Sequence, residues 1–536
     1  MQILRASKSM FSESSTCLLT RCAVAMTLLA IVGCADGSRA NSAHGHSPPI
    51  AQVLRGVAAI APGPTLVAIA AIESFYSARE YRGAWSRTQA ESLLAELNDA
   101  PSHGLDPSRY HSAKIAEALA ESRGEPGPEL DVLLSDAFLA YASHLAFGRV
   151  DPKTLERDWR MTEREIDLVA TLERVTAGDS VPTVLNGLLP QAAEYAALEA
   201  ALARYRDMSW DSPMLASKKL ERGTRGEAVR RLTERLAAEG YMSEVTDLFS
   251  RDVDVAVRQF QRSRGISETG IVSKKTREAL DVQPEQLISA IELNLERWRW
   301  MSRDLGEPHV LVNAPAFSLR VVERGKTVLR SKIIVGKRFR RTPVFSGAIE
   351  SVVINPSWHV PRRIALADKL PLIKKDPGYL RRNHYTLLED GEVVDPKTVD
   401  WNAISKKSFP YRLRQSPGKH NALGRIKFNI ENDFNVYLHD TNEPELFAKP
   451  NRTFSSGCIR IAKARELASF VLGAPWSLAT LEEAIEGGKT RRVDASRPVM
   501  VHLQYFTAWV DEGTLSFRTD IYRRDKRLAA ALSKQP

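Results

Sequence analysis

The sequence has very little cysteine. Its four cysteines are Cys17, Cys22, Cys34 and Cys458, so the last five hundred residues hold a single thiol. A chain of 536 residues with 43% hydrophobic and 26% charged residues can bury sizeable cores without disulfides or metals. Cys458 is therefore either an inert buried residue or a candidate for chemistry.

The first apolar run of the chain is too short to cross a membrane. Residues 22–33 read CAVAMTLLAIVG, twelve residues, whereas a transmembrane helix needs about 20. The run fits the hydrophobic region of a secretory signal, which spans roughly 7–15 residues, and Lys8 and Arg21 supply the positive charges before it. We predict that residues 1–33 are a signal peptide.

The run ends in Ile31-Val32-Gly33-Cys34, which resembles the lipobox of bacterial lipoproteins. The resemblance implies that Cys34 is lipidated and begins the mature chain in the periplasm, anchored to a membrane. Ala35, by its resemblance to enteric sorting signals, favours the outer membrane. Simple cleavage by ordinary signal peptidase and an uncleaved anchor are the alternatives. After lipidation Cys458 would be the one free thiol in an oxidising compartment, which favours a chemical role.

Positive charge is in modest excess. Lysine and arginine number 75 and aspartate and glutamate 65, a net charge of +10. This balance favours nucleic acid, acidic lipid or a carboxylate-rich polymer as a partner, and charge alone does not choose among them.

The patterning changes along the chain and predicts an α+β multidomain protein. Leu93, Leu94 and Leu97 form a helical stripe behind the plausible cap Ser86, whereas alternation of apolar and polar residues begins at His309. The predicted divisions are a linker at 34–52, a helical scaffold at 53–215, a three-helix module at 216–282, a connecting helix at 283–306, a mostly-β domain at 307–485 and C-terminal strands at 486–536. A basic, proline-interrupted insertion at about 362–415 lies between strands and is a lid candidate.

The three-helix module resembles a peptidoglycan-binding module. Thr269 stands where that module usually has aspartate, and most matching positions belong to the core, so the match favours the fold more than binding. The matching residues are Gly223, Gly226, Val229, Leu232, Leu236, Gly240, Tyr241, Ala256, Val257, Phe260, Gln261, Gly270, Val272, Thr276, Ala279 and Leu280.

A histidine lies nineteen residues before Cys458 on a predicted strand. Alternation places Tyr437 and His439 on one strand face, and the intervening loop can bring the imidazole to the thiol and accept its proton. Arg460 adds a cation or a clamp for a carboxylate. Gly457 leaves the backbone open, so the N–H groups of Gly457 and Cys458 can face an oxyanion.

His439-Asp440-Thr441 and Ser455-Ser456-Gly457-Cys458-Ile459-Arg460 resemble the H-x-T and S-x-G-C-x-R motifs of the L,D-transpeptidases, in particular the large multidomain murein enzymes. The resemblance implies that Cys458 attacks the bond between the L-centre of meso-diaminopimelate and the terminal D-alanine of a tetrapeptide stem. The resulting thioester would be resolved by a diaminopimelate amine of a second stem, giving a 3→3 cross-link.

The resemblance also implies roles for the surrounding residues. His439 would act as base and then acid, with a carbonyl near position 440 fixing its tautomer. Tyr437 would assist the oxyanion hole, and Arg460, Ser456 and Trp358 would line the stem site. Asp440 is a weaker third member, because a strand points its side chain away from His439. No cofactor, metal or nucleic acid is implied.

Several alternatives use the same residues. Water could resolve the thioester, giving an L,D-carboxypeptidase, and an amine on another protein would give protein-to-murein ligation. A non-enzymatic murein-binding lipoprotein would use only the three-helix module, and the intact Cys/His pair speaks against it. A papain-like protease lacks its local signature around the cysteine.

Overall fold

The computed structural model describes residues 50–54, 66–121, 123–161, 164–210 and 219–534. The predicted signal peptide, Cys34 and most of the linker predicted at 34–52 lie outside these residues, while residues 50–54 are helical. The chain divides into two compact units. The first comprises Met1–Leu155, Glu165–Leu189 and Leu528–Pro536, and the second Glu156–Arg164 and Pro190–Arg527.

The first unit is helical. Helix α2 begins after the cap Ser86, whose hydroxyl accepts a hydrogen bond from the backbone N–H of Gln89. The Gln89 side chain accepts in turn from the backbone N–H of Ser86, which completes a capping box. Leu93 and Leu97 of this helix are fully buried, as the apolar stripe predicts. The helices are α1 Leu66–Ala78, α2 Arg87–Asn98, α3 Ser112–Glu121, α4 Pro128–Phe147, α5 Pro152–Leu155, α6 Leu168–Thr176 and α7 Val181–Asn186.

Helix α4 forms the centre of this unit. By length and composition alone it could cross a membrane, but 72% of its apolar window is buried inside the protein, which is typical of a core helix. Its Asp131 is buried and accepts from the hydroxyl of Tyr76 at 2.7 Å and from the backbone of Trp85 at 3.0 Å. Burial raises the pKa of this carboxyl, and these donors offset the cost of burying it.

The second unit contains the remaining helices. Helix α8 belongs here, because Tyr205 donates to Glu239 at 2.5 Å and Arg206 to Glu292 at 2.8 Å. The helical scaffold predicted at 53–215 is thus divided near residue 190. The helices are α8 Ala193–Arg206, α9 Glu227–Ala238, α10 Arg251–Ser263, α11 Lys274–Leu280, α12 Pro284–Arg299, α13 Arg362–Ile364, α14 Leu370–Lys375, α15 Gly378–Arg382, α16 Ala464–Leu472, α17 Leu478–Glu486 and α18 Arg524–Leu532. The residues of α18 from Leu528 on are assigned to the first unit.

Helices α9, α10 and α11 form the predicted three-helix module around one core, which includes Val229, Leu236 and Phe260. Its polar signature residues also serve the fold. Gln261 donates to the Ile271 carbonyl at 2.9 Å.

The strands of the second unit lie in three sheets. Their bounds are β1 Trp159–Arg160, β2 His309–Asn313, β3 Ser318–Glu323, β4 Lys326–Gly336, β5 Val344–Ile354, β6 Trp358–His359, β7 Tyr385–Glu389, β8 Glu392–Val394, β9 Arg412–Gln415, β10 Ile426–Ile430, β11 Leu438–His439, β12 Thr453–Ser455, β13 Ile459–Ile461, β14 Arg491–Gln504, β15 Ala508–Asp511 and β16 Thr514–Phe517.

The main sheet closes on itself. Strand neighbours run β5-β10-β11-β13-β4-β3-β2-β14, and β14 pairs again with β5, so these strands form a barrel. Successive residues of each strand face opposite sides of the barrel wall, and buried residues such as Val352, Phe428 and Ile459 fill the interior. The strands predicted after residue 486 as a separate segment do not stand apart, because β14 completes the barrel.

The insertion predicted at 362–415 forms a small subdomain of its own. Its sheet has the order β6-β9-β7-β8 and packs against the short helices α13, α14 and α15. A π-helical turn at Ala365–Lys369 lies between α13 and α14. The core of the subdomain includes Trp358, Ile373, Trp401 and Phe409, so its own apolar residues hold it together.

Candidate active site

Three neighbouring barrel strands bring the predicted site residues to one outer face. Lys427 of β10 pairs with His439 of β11, and His439 pairs with Arg460 of β13. Side chains alternate along a strand, so Tyr437 and Cys458, each two residues earlier, share this face. The backbone bond from Ile459 to the Tyr437 carbonyl, 3.2 Å, fixes the approach of the cysteine segment to β11.

Cys458 is a half-buried free thiol. Burial raises its pKa above the usual value for cysteine. The backbone and hydroxyl of Tyr437 and the charges of Lys427 and Arg460 act in the opposite direction and favour the thiolate. The resting group is therefore a neutral thiol surrounded by groups that stabilise its anion.

His439 is buried, with 4% of its surface exposed. Its Nδ1 lies 2.6 Å from the carbonyl oxygen of Asp440. A carbonyl only accepts, so we assign the proton of the neutral ring to Nδ1 and the lone pair to Nε2. Burial, with the charges of Arg460 and Lys427, lowers its pKa to about 3, although the Asp440 and Leu423 carbonyls act against this shift. The ring is thus neutral at physiological pH and able to accept a proton.

Asp440 contributes its carbonyl and not its carboxylate to this arrangement. The carboxylate accepts from the backbone of Arg425 at 2.8 Å. It packs so closely on Gly424, whose φ is +63°, that a Cβ there would lie 2.5 Å from the Asp440 Cγ. The side chain therefore stabilises the turn before β10. It points away from His439, as strand alternation predicts.

The backbone before Cys458 differs from the predicted oxyanion hole in one respect. Gly457 has φ +126°, but its N–H already donates to the Ser455 hydroxyl at 3.1 Å. The Cys458 N–H has no hydrogen-bond partner among the described residues. The Gly457 carbonyl accepts from Thr342 at 2.9 Å, which anchors the loop. The Cys458 N–H is therefore the backbone donor open to an oxyanion, and Gly457 shapes the loop that presents it.

Tyr437 interacts with both the Cys458 thiol and Trp358, a residue of β6 that packs in the core of the insertion subdomain. Burial raises the pKa of the phenol, as does the negative charge that Cys458 can carry, so the hydroxyl stays protonated and able to donate. The buried Trp358 Nε1 has no hydrogen-bond partner of good geometry among the described residues, and its nearness to the phenol oxygen lowers the phenol pKa. Trp358 packs near Tyr385 and Lys369 in the insertion, which ties the subdomain to the site.

Arg460 and Ser456 both have partners within the protein. The Arg460 Nη1 pairs with Glu443 at 2.6 Å and lies 3.4 Å from the Thr441 hydroxyl. The Ser456 hydroxyl accepts from Arg340 at 2.8 Å. A substrate carboxylate would thus have to share or displace Glu443 to reach Arg460.

Sequence reasoning missed Lys427 and Arg340. Lys427 is half-buried, its Nζ lies 4.5 Å from the centre of the Tyr437 ring, and it forms no ion pair within the described part of the chain. Burial lowers its pKa, and the charge of Cys458 raises it. The polar position between Ile426 and Phe428 marks it as facing outward, but only the strand register places it opposite His439.

Three segments of the chain match family models of known domains. Residues 307–501 match the family model described as "L,D-transpeptidase catalytic domain", residues 225–280 match "Putative peptidoglycan binding domain", and residues 70–202 match "Scaffold domain". A Haemophilus influenzae protein named "Putative L,D-transpeptidase" is 39% identical over 224 residues. That match covers 41% of this chain and spans 45% of the relative's length, so less than half of the relative is represented.

Two crystal structures of L,D-transpeptidases were also matched. The one from Xylanimonas cellulosilytica is 14% identical, with a TM-score of 0.18, over 55% of this chain and 100% of that one. The one from Stackebrandtia nassauensis is 13% identical, with a TM-score of 0.22, over 57% of this chain and 100% of that one.

The barrel and its cysteine-bearing face thus lie in the segment that matches an L,D-transpeptidase catalytic domain. The chain carries an L,D-transpeptidase catalytic domain together with a peptidoglycan-binding domain and a helical N-terminal region. These matches confirm the resemblance that the sequence motifs indicated.

Proposed function

We propose that this protein is a cysteine-dependent murein L,D-transpeptidase that forms 3→3 cross-links through a thioester on Cys458. The observation that supports this best is the shared outer face of β10, β11 and β13, which carries Cys458, Tyr437, His439, Lys427 and Arg460 within an L,D-transpeptidase catalytic domain. Tetrapeptide stems of peptidoglycan would serve as donor and acceptor.

In the acylation step, the Cys458 thiol gives its proton to Nε2 of His439 as the sulfur attacks the carbonyl carbon at the L-centre of diaminopimelate. The oxyanion that forms would accept from the Cys458 N–H and from the Tyr437 hydroxyl. Lys427 and Arg460 stabilise the negative charge at short range. The carbon–nitrogen bond then breaks, the imidazolium protonates the departing amine, and D-alanine leaves with a thioester remaining on the enzyme.

In the second step, the side-chain amine of an acceptor diaminopimelate attacks the thioester carbonyl. His439 accepts the proton that the attacking amine loses, and the sulfur departs and recovers a proton. One amide bond is broken and one is formed, so no external energy source is needed. Water in place of the amine would give a carboxypeptidase, and an amine on a protein would give a ligase.

The reaction is tested by incubating the purified protein with disaccharide-tetrapeptide and analysing the products by mass spectrometry. We expect a cross-linked dimer that has lost one D-alanine, and no such product from Cys458→Ala. Disaccharide-tripeptide alone would show that water is the acceptor. Unchanged substrate with both proteins would leave only peptidoglycan binding and would contradict the proposal.

We also propose export and lipid anchoring at Cys34 in the periplasm. The support is the signal-like run and lipobox-like motif of the sequence, which lie outside the described residues. Expression with a radiolabelled or alkyne-tagged fatty acid tests this, with Cys34→Ser as the variant and Cys22→Ser as its control. Label in the Cys34→Ser protein equal to that in the control would contradict lipidation at this residue.

A further inference from the structure

The second unit contains a large cleft whose lining does not include Cys458, His439 or Tyr437. Its volume is 860 Å³. The outer face of β2, β3 and β4 forms one wall, the β15–β16 hairpin another, and α10 of the peptidoglycan-binding domain contributes Arg262. The cleft thus joins surfaces of the catalytic and peptidoglycan-binding domains.

The acidic residues of the cleft are already neutralised by arginines. Four carboxylates line it, and each lies within ion-pair distance of a guanidinium. The pairs are Glu194 with Arg320 at 2.5 Å, Glu239 with Arg235 at 2.5 Å, Asp511 with Arg330 at 2.8 Å and Glu512 with Arg330 at 3.0 Å.

Positive charge in the cleft, by contrast, is left uncompensated. Five of its cationic side chains form no ion pair within the ranges that the structure describes. They are Arg204, Lys332, Arg452, Lys463 and Arg518. Lys332 and Lys463 are exposed. The backbone N–H of Ala462 donates to the Lys332 carbonyl at 3.0 Å, which keeps the two lysine-bearing segments side by side.

Arg452 and Arg518 donate hydrogen bonds only to neutral carbonyls, while the charge of Glu268 acts on Arg518 without a direct ion pair. Arg452 donates to the carbonyls of Phe317 and Ile333, each at 3.1 Å, and Arg518 donates to that of Ser263 at 2.8 Å. Burial lowers the pKa of both, that of Arg518 to about 10, and the charge of Arg452 contributes to the Arg518 shift. Two partly desolvated guanidinium groups, one of which lowers the pKa of the other, would be stabilised by a bound anion.

We propose that this cleft binds a carboxylate-bearing stem segment of a peptidoglycan strand, separately from the Cys458 centre. The choice of peptidoglycan as the polymer rests on the proposed function. It also rests on α10, a helix of the peptidoglycan-binding domain that lines the cleft. Stem peptides carry several carboxylates, which complement Lys332, Lys463, Arg452 and Arg518. The cleft would hold the strand on the catalytic domain while a different stem reacts at Cys458.

Binding is tested with the full chain carrying Cys458→Ala, so that turnover does not change the polymer. Co-sedimentation with purified sacculi gives the affinity. The test variant adds Lys332→Glu and Lys463→Glu, and the control adds Lys326→Glu and Lys526→Glu, exposed lysines outside the cleft, for the same net charge. We expect binding about tenfold weaker in the test variant and changed by less than about twofold in the control.

A second arm uses sacculi whose carboxylates have been amidated. We expect amidation to weaken binding of the control variant to the level of the test variant. Equal affinities for the two variants, or undiminished binding to amidated sacculi, would overturn the cleft proposal. Turnover by the unmodified enzyme is measured separately. If it is absent while the charge-dependent binding persists, the transpeptidase proposal fails and the cleft proposal stands.

Discussion

Lys427 is one of the positive charges that favour the thiolate form of Cys458. It is half-buried, faces the Tyr437 ring and has no carboxylate partner among the residues described. Its charge therefore acts on Cys458 with little local compensation, and the thiolate gains from it. The alternation of apolar and polar residues predicts that the Lys427 side chain faces outward. Lys427 lies 31 positions before Cys458, and no local pattern predicts that the two residues lie close together.

We expect Lys427→Met to slow alkylation of Cys458 by iodoacetamide at about pH 8 by roughly three- to tenfold, because the thiolate loses a nearby cation. The rate is followed by peptide mass spectrometry. Lys419→Met is the matched control, since Lys419 is an exposed lysine of the same domain. An unchanged rate in Lys427→Met, with the fold intact by circular dichroism, would rule out this electrostatic role.

The two shifted pKa values predict the pH dependence of acylation. Burial raises the pKa of the Cys458 thiol, so the thiolate population keeps growing above the usual cysteine value of about 8.5. The His439 pKa is lowered to about 3, so its imidazole stays neutral above that pH. The single-turnover rate of D-alanine release should therefore rise from neutral into alkaline pH. A steep loss of rate centred near pH 6.5, the ordinary histidine value, would contradict a neutral buried His439.

At the scale of elements, much of the secondary structure is predictable and the pairing of strands is not. The capped helix after Ser86, the three-helix module and the strands after His309 follow from local periodicity. Closure of the barrel does not, because β14 pairs with β5 across more than a hundred residues. The hydrogen bonds of the loop before Cys458 are likewise not predictable from the sequence. The Gly457 position follows from the motif, while the engagement of its N–H by Ser455 depends on the folded turn.

Arg340 joins three elements around the site. It donates to the Ser456 hydroxyl at 2.8 Å and to Asp368 in the π-helical turn of the insertion at 2.7 Å. The pair with Asp368 raises the pKa of the guanidinium and lowers that of the carboxyl, so both remain charged. Arg340 thus holds the insertion against the loop that carries Cys458.

We expect Arg340→Gln to increase amide hydrogen exchange in residues 362–382 about three- to tenfold, since loss of one charge-assisted contact costs on the order of 1 kcal/mol. Arg338→Gln, in the same loop and without an ion pair in the described structure, should leave exchange unchanged. Exchange that stays the same in both variants would mean that the aromatic core of the insertion holds it without Arg340.

At the scale of the whole molecule, the chain combines a helical unit with a second unit that holds the peptidoglycan-binding module and the barrel. The sequence indicates these modules through their separate motifs. The division near residue 190 leaves Tyr205 in the second unit with its partner Glu239, a contact that no periodicity reveals. The second unit holds both the module that matches a peptidoglycan-binding domain and the Cys458 face, as the proposed function requires.

The central claim is that the Cys458 sulfur becomes acylated. The most direct measurement is the mass of the intact protein, with peptide mapping, within seconds of mixing with disaccharide-tetrapeptide. We expect an adduct equal to the substrate minus D-alanine, located on Cys458 and absent from Cys458→Ala. D-Alanine release without any adduct on Cys458, or an equal adduct in Cys458→Ala, would contradict the account.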